Sequence, residues 1–370
     1  MNLTNSSLAF QQNGEVCDIL SSLGATVCKV LAYIIIFFVS AIGNMIVIGV
    51  VLRTKSPRGV MDIFIVNMAF SDLFVPFLMV PKELFEVISG SMEWQVGGLV
   101  GNVFCKLYFF IADISPIVSI LTLYCITVER FLAVTRPKLP SYKEPKLHLN
   151  MVVLTWFIAM GYCAPYMYVF RLERVEDPSE GTNGTAMLSC GINWAPAFDH
   201  DTSHMAYITA TCVLFVIIPF FSLTCMYAYL VIKARASYKI MAHSLSPRAR
   251  KRRAIKMWTL LKLSIAVVLG FAICWAPYNV GMFLLIFIWH GQPPTSCFFE
   301  TYWFVAILMS ASNAAVNPWI YLVFVDRFKK QLQEIRKSFS SMLSLRSLSP
   351  VQQSADTEKE GCGKTEPVAV

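Results

Sequence analysis

The groups in this sequence best equipped for chemistry are charges placed where charge is costly. Glu129 and Arg130 stand side by side near the end of an apolar run, Cys105 to Val134, that also carries Asp113 and Ser119. A helix needs roughly 20 apolar residues to cross a bilayer, and an acid–base pair on such a helix belongs at a water-facing mouth or inside a bundle. The bland reading is an interfacial anchor, with arginine snorkelling from a helix end. Neighbouring runs weigh against it by carrying polar groups of their own: Asn44 after Gly43, Asp72 within Asn67–Leu73, and Asn313 and Asn317 in the last run. An Asp at mid-bilayer must be protonated, paired or neutralised by a cation. One carboxylate with hydroxyl and amide oxygens is a hard-ligand set suited to sodium or ordered water. It serves equally as a polar network that glues helices, at about 0.6–2 kcal/mol per contact. No enzyme is expected: the 5 histidines are scattered and no nucleophile stands beside a base.

These groups can meet only if a membrane-embedded chain brings distant segments together. Of 370 residues, 56% are hydrophobic and 15% charged, and the mean hydropathy is +0.57, too apolar for a soluble domain with a charged surface. Seven segments are long enough to span, at about 28–52, 63–88, 102–134, 149–170, 205–232, 258–289 and 297–325. Backbone polar groups in lipid need internal partners, and the short alternating segments of a barrel are absent, so the spans are helices. No internal repeat of the transporter kind is evident. The expected fold is an all-α membrane protein, a seven-transmembrane helix bundle over residues 28–325. After it, Phe328, Leu332 and Ile335 recur at helical spacing, which predicts a short amphipathic helix over 326–337 on the membrane surface. The serine-rich stretch 338–370 reads as a disordered cytoplasmic tail.

Positive charge orients this plan. One set of loops holds Lys29, Lys82, Lys106, Arg171 and Arg174; the other holds most of the remainder, including the run Arg248-Ala249-Arg250-Lys251-Arg252-Arg253. The positive-inside rule then puts the N-terminus outside and the C-terminus in the cytoplasm, as for a multi-pass plasma-membrane protein. The net charge of +8 is an orientation signal and implies no nucleic-acid partner. Residues 1–27 form a polar outer segment without a signal-peptide pattern, and Asn2, Asn5 and Asn183 open glycosylation triplets. Of 11 cysteines, Cys17, Cys28, Cys105, Cys190 and Cys297 fall outside or at outer helix ends, where oxidation is allowed. A Cys105–Cys190 bond would pin a long outer loop to the third helix, and a bridge from Cys17 or Cys28 to Cys297 stays open, since connectivity cannot be read from sequence. Pro219, Pro277 and Pro318 each remove a backbone donor within a span, creating a hinge or a static bend.

Gly43-Asn44, the Asp72 segment, Glu129-Arg130-Phe131, Trp156, Cys274-Trp275-Ala276-Pro277-Tyr278, and Asn317-Pro318-Trp319-Ile320-Tyr321 followed by Phe328 resemble, helix by helix, the signatures of rhodopsin-like (class A) G protein-coupled receptors. The resemblance covers about residues 28–337. It implies an extracellular ligand and activation of heterotrimeric G proteins, with receptor kinases and arrestin engaging tail serines such as Ser338, Ser340, Ser341, Ser344, Ser347 and Ser349. It implies a Cys105–Cys190 disulfide and an allosteric sodium pocket of Asn44, Asp72, Ser119, Asn313 and Asn317. Arg130, beside Glu129, matches the arginine that engages the G protein, with Tyr227 and Tyr321 closing around it on activation. Trp275 with Pro277 matches the switch beneath the ligand, and Asn317, Pro318 and Tyr321 the switch of the seventh helix. Two departures stand out. Lys256-Met257-Trp258 occupies the place where many relatives carry an acid that restrains the arginine, so measurable basal signalling is expected; and Pro116 is unusual in the third helix.

The same resemblance narrows the ligand. Ala112 stands where aminergic relatives carry Asp, with Asp113 one residue on and rotated by about 100°; Ala311 stands where opsins need lysine. Acids including Glu83, Glu86, Glu93, Glu173, Glu176, Asp177, Glu180, Asp199, Asp201 and Glu300 leave the outer face net negative, a funnel for a basic ligand. The expectation is a neuropeptide with Arg or an amidated basic end, akin to ligands of the neuropeptide Y, RFamide, galanin and tachykinin receptors. The alternatives are a non-peptide small molecule, a non-signalling decoy and a transporter. Glu83 and Glu86 share a face near the top of the second helix and are candidates for the ligand's guanidinium, or else solvated helix-end charges. Trp94, Phe109, Asp113, Trp275, Tyr278, Met282 and Trp303 complete the expected pocket.

Overall fold

A computed structural model describes residues 22–53, 60–135, 145–176, 186–244, 246–290, 294, 296–325, 328–330, 333–334, 337 and 340–341. The acceptors Asn2, Asn5 and Asn183, together with Cys17, Cys362 and most of the tail, lie outside these residues. Seven helices are long and apolar enough to cross a membrane: α1 (Leu23–Arg53), α2 (Met61–Ser89), α3 (Gly98–Thr135), α4 (Lys146–Val169), α5 (His200–Lys233), α6 (Met257–Ile288) and α7 (Cys297–Phe324). Helix continues past α5 to Ser244 and begins before α6 at Pro247. Hydropathy stops at the apolar part, whereas Ala, Arg and Lys carry the helix on into water by propensity.

The bundle sorts its side chains by solvent. Phe38, Ile42 and Met45 of α1 and Phe220 and Phe221 of α5 are exposed, while Asn44, Asp72, Ser119, Asn313 and Asn317 are buried. Apolar surface gains nothing by leaving lipid, so helices choose neighbours through close packing and hydrogen bonds. Asn44 Nδ2 donates to Ala314 O at 2.9 Å, joining α1 to α7. Asn67 Nδ2 donates to Thr122 Oγ1 at 2.7 Å and its Oδ1 accepts from Trp156 Nε1 at 2.8 Å, joining α2, α3 and α4.

One departure from an all-helical chain follows α4. Strands β1 (Phe170–Glu176) and β2 (Ala186–Ile192) pair antiparallel, with Leu172 opposite Cys190. Asp199 then caps α5, its carboxylate accepting from Thr202 N at 3.0 Å, and the Thr202 hydrogen bonds hold this exposed carboxyl below its usual range. Pro116, Pro277 and Pro318 sit inside helices. Pro219 instead follows a widened π-helical turn, Val213–Ile217, and a second such turn, Val75–Met79, contains Pro76; a third, Leu284–Ile288, closes α6. Residues 325–370 form a separate unit in which the described positions from Phe328 on are helical, with Phe328 buried and Lys329, Lys330 and Lys337 exposed.

At Gly43 the backbones of α1 and α7 approach so closely that an added Cβ would meet Pro318 Cβ at 2.9 Å, while one at Gly49 would meet nothing within 4 Å. Gly43→Val should therefore destabilise the bundle by about 1–3 kcal/mol through overpacking. Thermal melting of the detergent-solubilised protein should drop for Gly43→Val and stay near wild type for Gly49→Val.

Candidate functional site

The middle of the bundle is organised around Asp72, 1% exposed. Asn317 Nδ2 donates to its Oδ2 at 2.8 Å and Ser119 Oγ to its Oδ1 at 3.4 Å. Ser71 Oγ lies 3.3 Å from Ser119 Oγ, and Ser115 Oγ donates to Ser71 O at 2.9 Å. Three of the five residues expected at a sodium pocket thus converge by hydrogen bonding. The other two leave buried amide oxygens without a hydrogen-bond partner, Asn44 Oδ1 and Asn313 Oδ1. Orphaned buried acceptors call for a donor or a cation, and the carboxylate, hydroxyl and amide oxygens around Asp72 are of the type a hard ion prefers. Ser71 and Ser115 were not singled out in the sequence, although Ser71 directly precedes Asp72.

At the end of α3, Arg130 Nε lies 3.0 Å from Glu129 Oε2, a close ion pair without hydrogen-bond alignment. Tyr227 Oη lies 2.8 Å from Thr127 Oγ1, and because the Thr127 hydroxyl already donates to Leu123 O, Tyr227 is the donor. Tyr321 Oη donates to Met68 Sδ at 3.6 Å. The two tyrosines therefore have separate partners, on α3 and α2, in this packing. The helix Pro247–Phe283 contains no Asp or Glu, so it can offer Arg130 no carboxylate.

Between the middle and the opposite end, Trp275 stacks on Phe271 at 6.0 Å and meets Tyr278 edge-on at 5.8 Å. Asn279 Nδ2 donates to Trp275 O at 2.8 Å, and Tyr302 of α7 donates to Pro277 O. Pro277 of α6 is thereby tied to α7, a link that sequence reading missed.

At the end opposite Arg130, the ligand chamber expected from the sequence, the hairpin packs against α3. The Cys105–Cys190 disulfide, Cα–Cα 5.8 Å, pins β2 to α3; Phe109 stacks on Phe170 at 4.1 Å, and Trp94 N donates to Leu188 O at 2.8 Å. Cys297 is also disulfide-bonded, whereas Cys28 is free, which removes the Cys28–Cys297 alternative. Tyr278 and Trp303 lie 5.7 Å apart. Met282 is half-buried beside Gly281, where an added Cβ would meet Trp303 and Tyr302 at 3.0 Å.

The acids of this chamber are paired unequally. Lys82 Nζ is 2.6 Å from Glu86 Oε1 and 3.6 Å from Glu83 Oε1, and Tyr33 Oη donates to Glu83 at 3.4 Å. The two carboxylates proposed for a ligand's guanidinium thus already hold a cation of the same helix; the four-residue spacing of Lys82 and Glu86 carried that signal. Asp113 differs: Tyr166 Oη donates to its Oδ2 at 2.6 Å, and among the described residues no Lys or Arg forms an ion pair with it. Tyr166 in turn packs against Tyr207 at 5.6 Å, so Asp113 sits where α3, α4 and α5 meet.

This arrangement is that of a membrane receptor. Residues 43–321 match the family model of the 7 transmembrane receptor (rhodopsin family), and the chain belongs to that family. It is 28% identical over 335 residues to a QRFP-like peptide receptor of Branchiostoma floridae, spanning 89% of this chain and 82% of that one. It is 26% identical to the pyroglutamylated RF-amide peptide receptor of Rattus norvegicus, over 83% and 69% of the two chains. Similarity to a tachykinin-like peptides receptor 99D of Drosophila melanogaster is 29% identity over 78% of this chain and 52% of the relative.

Glu129 is the one carboxylate paired with Arg130 among the described residues, so Glu129→Gln should free the guanidinium. A loss of about 1.4 kcal/mol in the resting packing raises the population of the other roughly tenfold. Ligand-free signalling at matched surface expression should rise severalfold over wild type.

Proposed function

We propose that this chain is a plasma-membrane receptor, N-terminus outside, that binds an extracellular peptide with an arginine or amidated basic end and activates heterotrimeric G proteins from its Arg130 face. Receptor kinases and arrestin would act on the tail serines. The observation that carries the ligand reading is Asp113, a carboxylate inside the chamber whose hydrogen-bond donor is a neutral phenol. A half-buried carboxylate without a cation is costly, and a ligand guanidinium supplies one. Family relatives whose names specify RF-amide and tachykinin-like peptides support the same class. Glu83 and Glu86, neutralised in part by Lys82, then form the rim that attracts the ligand and Asp113 the acceptor that holds it.

The residues act in sequence along the bundle. Filling the chamber changes the contacts of Trp275 and Tyr278, whose helix lacks a backbone donor at Pro277. That shifts α6 against α7 through the Tyr302 link and releases Tyr227 and Tyr321 toward Arg130. A ligand shifts this equilibrium only by its difference in affinity for the two packings. A sodium ion held by Asp72, Ser119 and Asn317, with the unpartnered Asn44 and Asn313 oxygens as further ligands, would favour the resting packing.

Activation of a G protein by a library of C-terminally amidated basic peptides tests the reading, together with the same peptides carrying citrulline for arginine. Asp113→Asn should weaken the arginine peptide by about 2 kcal/mol or more, roughly 30-fold, and the citrulline peptide far less; Glu83→Gln should have the smaller effect. Equal losses for both peptides would remove Asp113 as the acceptor. For the ion, replacing choline by sodium should lower agonist affinity in the wild type and leave Asp72→Asn unchanged, as reciprocal linkage requires.

A further inference from the structure

The basic run at 248–253 takes no part in this switch, and its place in the helix is costly. The helix that continues α5 ends at Ser244, and the one that leads into α6 begins at Pro247. Five cations, Arg248, Arg250, Lys251, Arg252 and Arg253, fall within its first seven residues, and Pro247–Phe283 contains no acid. A helix N-terminus carries a partial positive charge that favours anions and disfavours cations. Repulsion among the cations adds to the cost.

A basic stretch at a membrane edge is most often a solvated face, and serine then proline is an ordinary helix start, with serine as cap and proline in the first turn. That reading accounts for Ser246 and Pro247 but not for the crowd of cations after them. An anion at position 246 accounts for all three. Ser246 is exposed, outside both helices and directly before Pro247, and a serine that precedes proline is the acceptor that proline-directed kinases take. Proline also biases the residue before it toward extended backbone, the form in which a kinase cleft holds its substrate. Arg248, Lys251 and Arg252 are exposed, and among the described residues the first buried side chain of this helix is Ala254. The turns before Ala254 can therefore open at little cost. Of the other Ser-Pro pairs, Ser115 is buried within α3, and Ser56 and Ser349 lie outside the described residues.

We propose that Ser246 is phosphorylated by a proline-directed protein kinase, a reading that rests on the cytoplasmic placement of the Arg130 end. Ser246 Oγ bonds to the γ-phosphorus of ATP, the bond from that phosphorus to its bridging oxygen breaks, ADP leaves, and the hydroxyl proton passes to the kinase's catalytic carboxylate. The phosphate carries about −1.5 to −2, so the +5 of the run falls to about +3. Its oxygens accept from first-turn N–H groups, which have no partner within the helix, and from the guanidinium of Arg248. The modification replaces self-repulsion at this helix start with a charged cap, where the chain enters α6.

The test incubates the purified full-length receptor with a mitogen-activated protein kinase and ATP and maps phosphate by mass spectrometry. Position 246 should take phosphate in wild type and in Ser246→Thr, and none in Pro247→Ala or in Ser246→Asn, which keeps a cap without an acceptor. Hydrogen exchange then reads the helix: amides of 248–254 should exchange about fivefold more slowly in the phosphorylated receptor, with a smaller effect in phosphorylated Arg248→Gln and none in Ser246→Asn treated alike. Phosphate on Ser56 or Ser349 but not Ser246, modification of Ser246 that persists in Pro247→Ala, or unchanged exchange in the phosphorylated form would overturn the proposal. So would a receptor without phosphate under conditions that phosphorylate a free peptide spanning 241–252. No agonist or G protein enters the measurement, so its failure is distinct from failure of the ligand reading.

Discussion

A carboxylate sealed away from water dictates how these helices meet. Asp72 is tolerable in the membrane interior only while other groups answer its charge, and the groups that do so come from α3 and α7. The hydrogen bonds that satisfy one side chain therefore set the relative position of three helices. Asn44 repeats the arrangement between α1 and α7, and Asn67 among α2, α3 and α4. Because lipid offers no hydrophobic reward for helix contact, these polar links, with the close approach at Gly43, select one packing from many of similar apolar area.

The proposed switch requires a second arrangement of this network. Shifting α7 against α2 would break the Asn317–Asp72 hydrogen bond and oblige the carboxylate to find another donor. Asp113 and Arg130 lie on either side of Ser119 along α3, the helix that holds Asp72, and the proposed coupling runs through this shared helix. Pro277 and Pro318 lie inside α6 and α7, where each removes a backbone hydrogen bond, and the proposed movement would draw on that weakness. The disulfide and hairpin do the reverse at the end of α3 opposite Arg130 and give a ligand a fixed surface to work against.

Much of this was legible in the sequence, for a physical reason: the bilayer imposes one length and one solvent on every span, so hydropathy alone locates seven helices. Polar residues within those runs are rare enough that Asp72, Asn317 and Arg130 announce themselves. Features that depend on pairing across the chain were hidden. The Tyr166–Asp113 contact joins α4 to α3, and Tyr302 reaches Pro277 from another helix; neither follows any local spacing. The hairpin was read as loop because Arg171, Glu173 and Arg174 break up its apolar alternation. The full lengths of the α5 and α6 helices were missed because they continue in residues that favour helix but not lipid. Lys82 was legible and overlooked: its four-residue spacing to Glu86 shows that the acids first chosen for the ligand have a partner of their own.

The central claim is that filling the chamber opens the mouth around Arg130. It is tested most directly by pulsed electron–electron distance measurements between spin labels at Arg248 and Lys146, with exposed Cys28 and Cys225 replaced beforehand. The account predicts that a bound peptide agonist shifts the population to a longer distance, and that Asp113→Asn suppresses the shift at a peptide concentration that saturates wild type. An unchanged distance distribution in receptor shown to be fully occupied by agonist would contradict it.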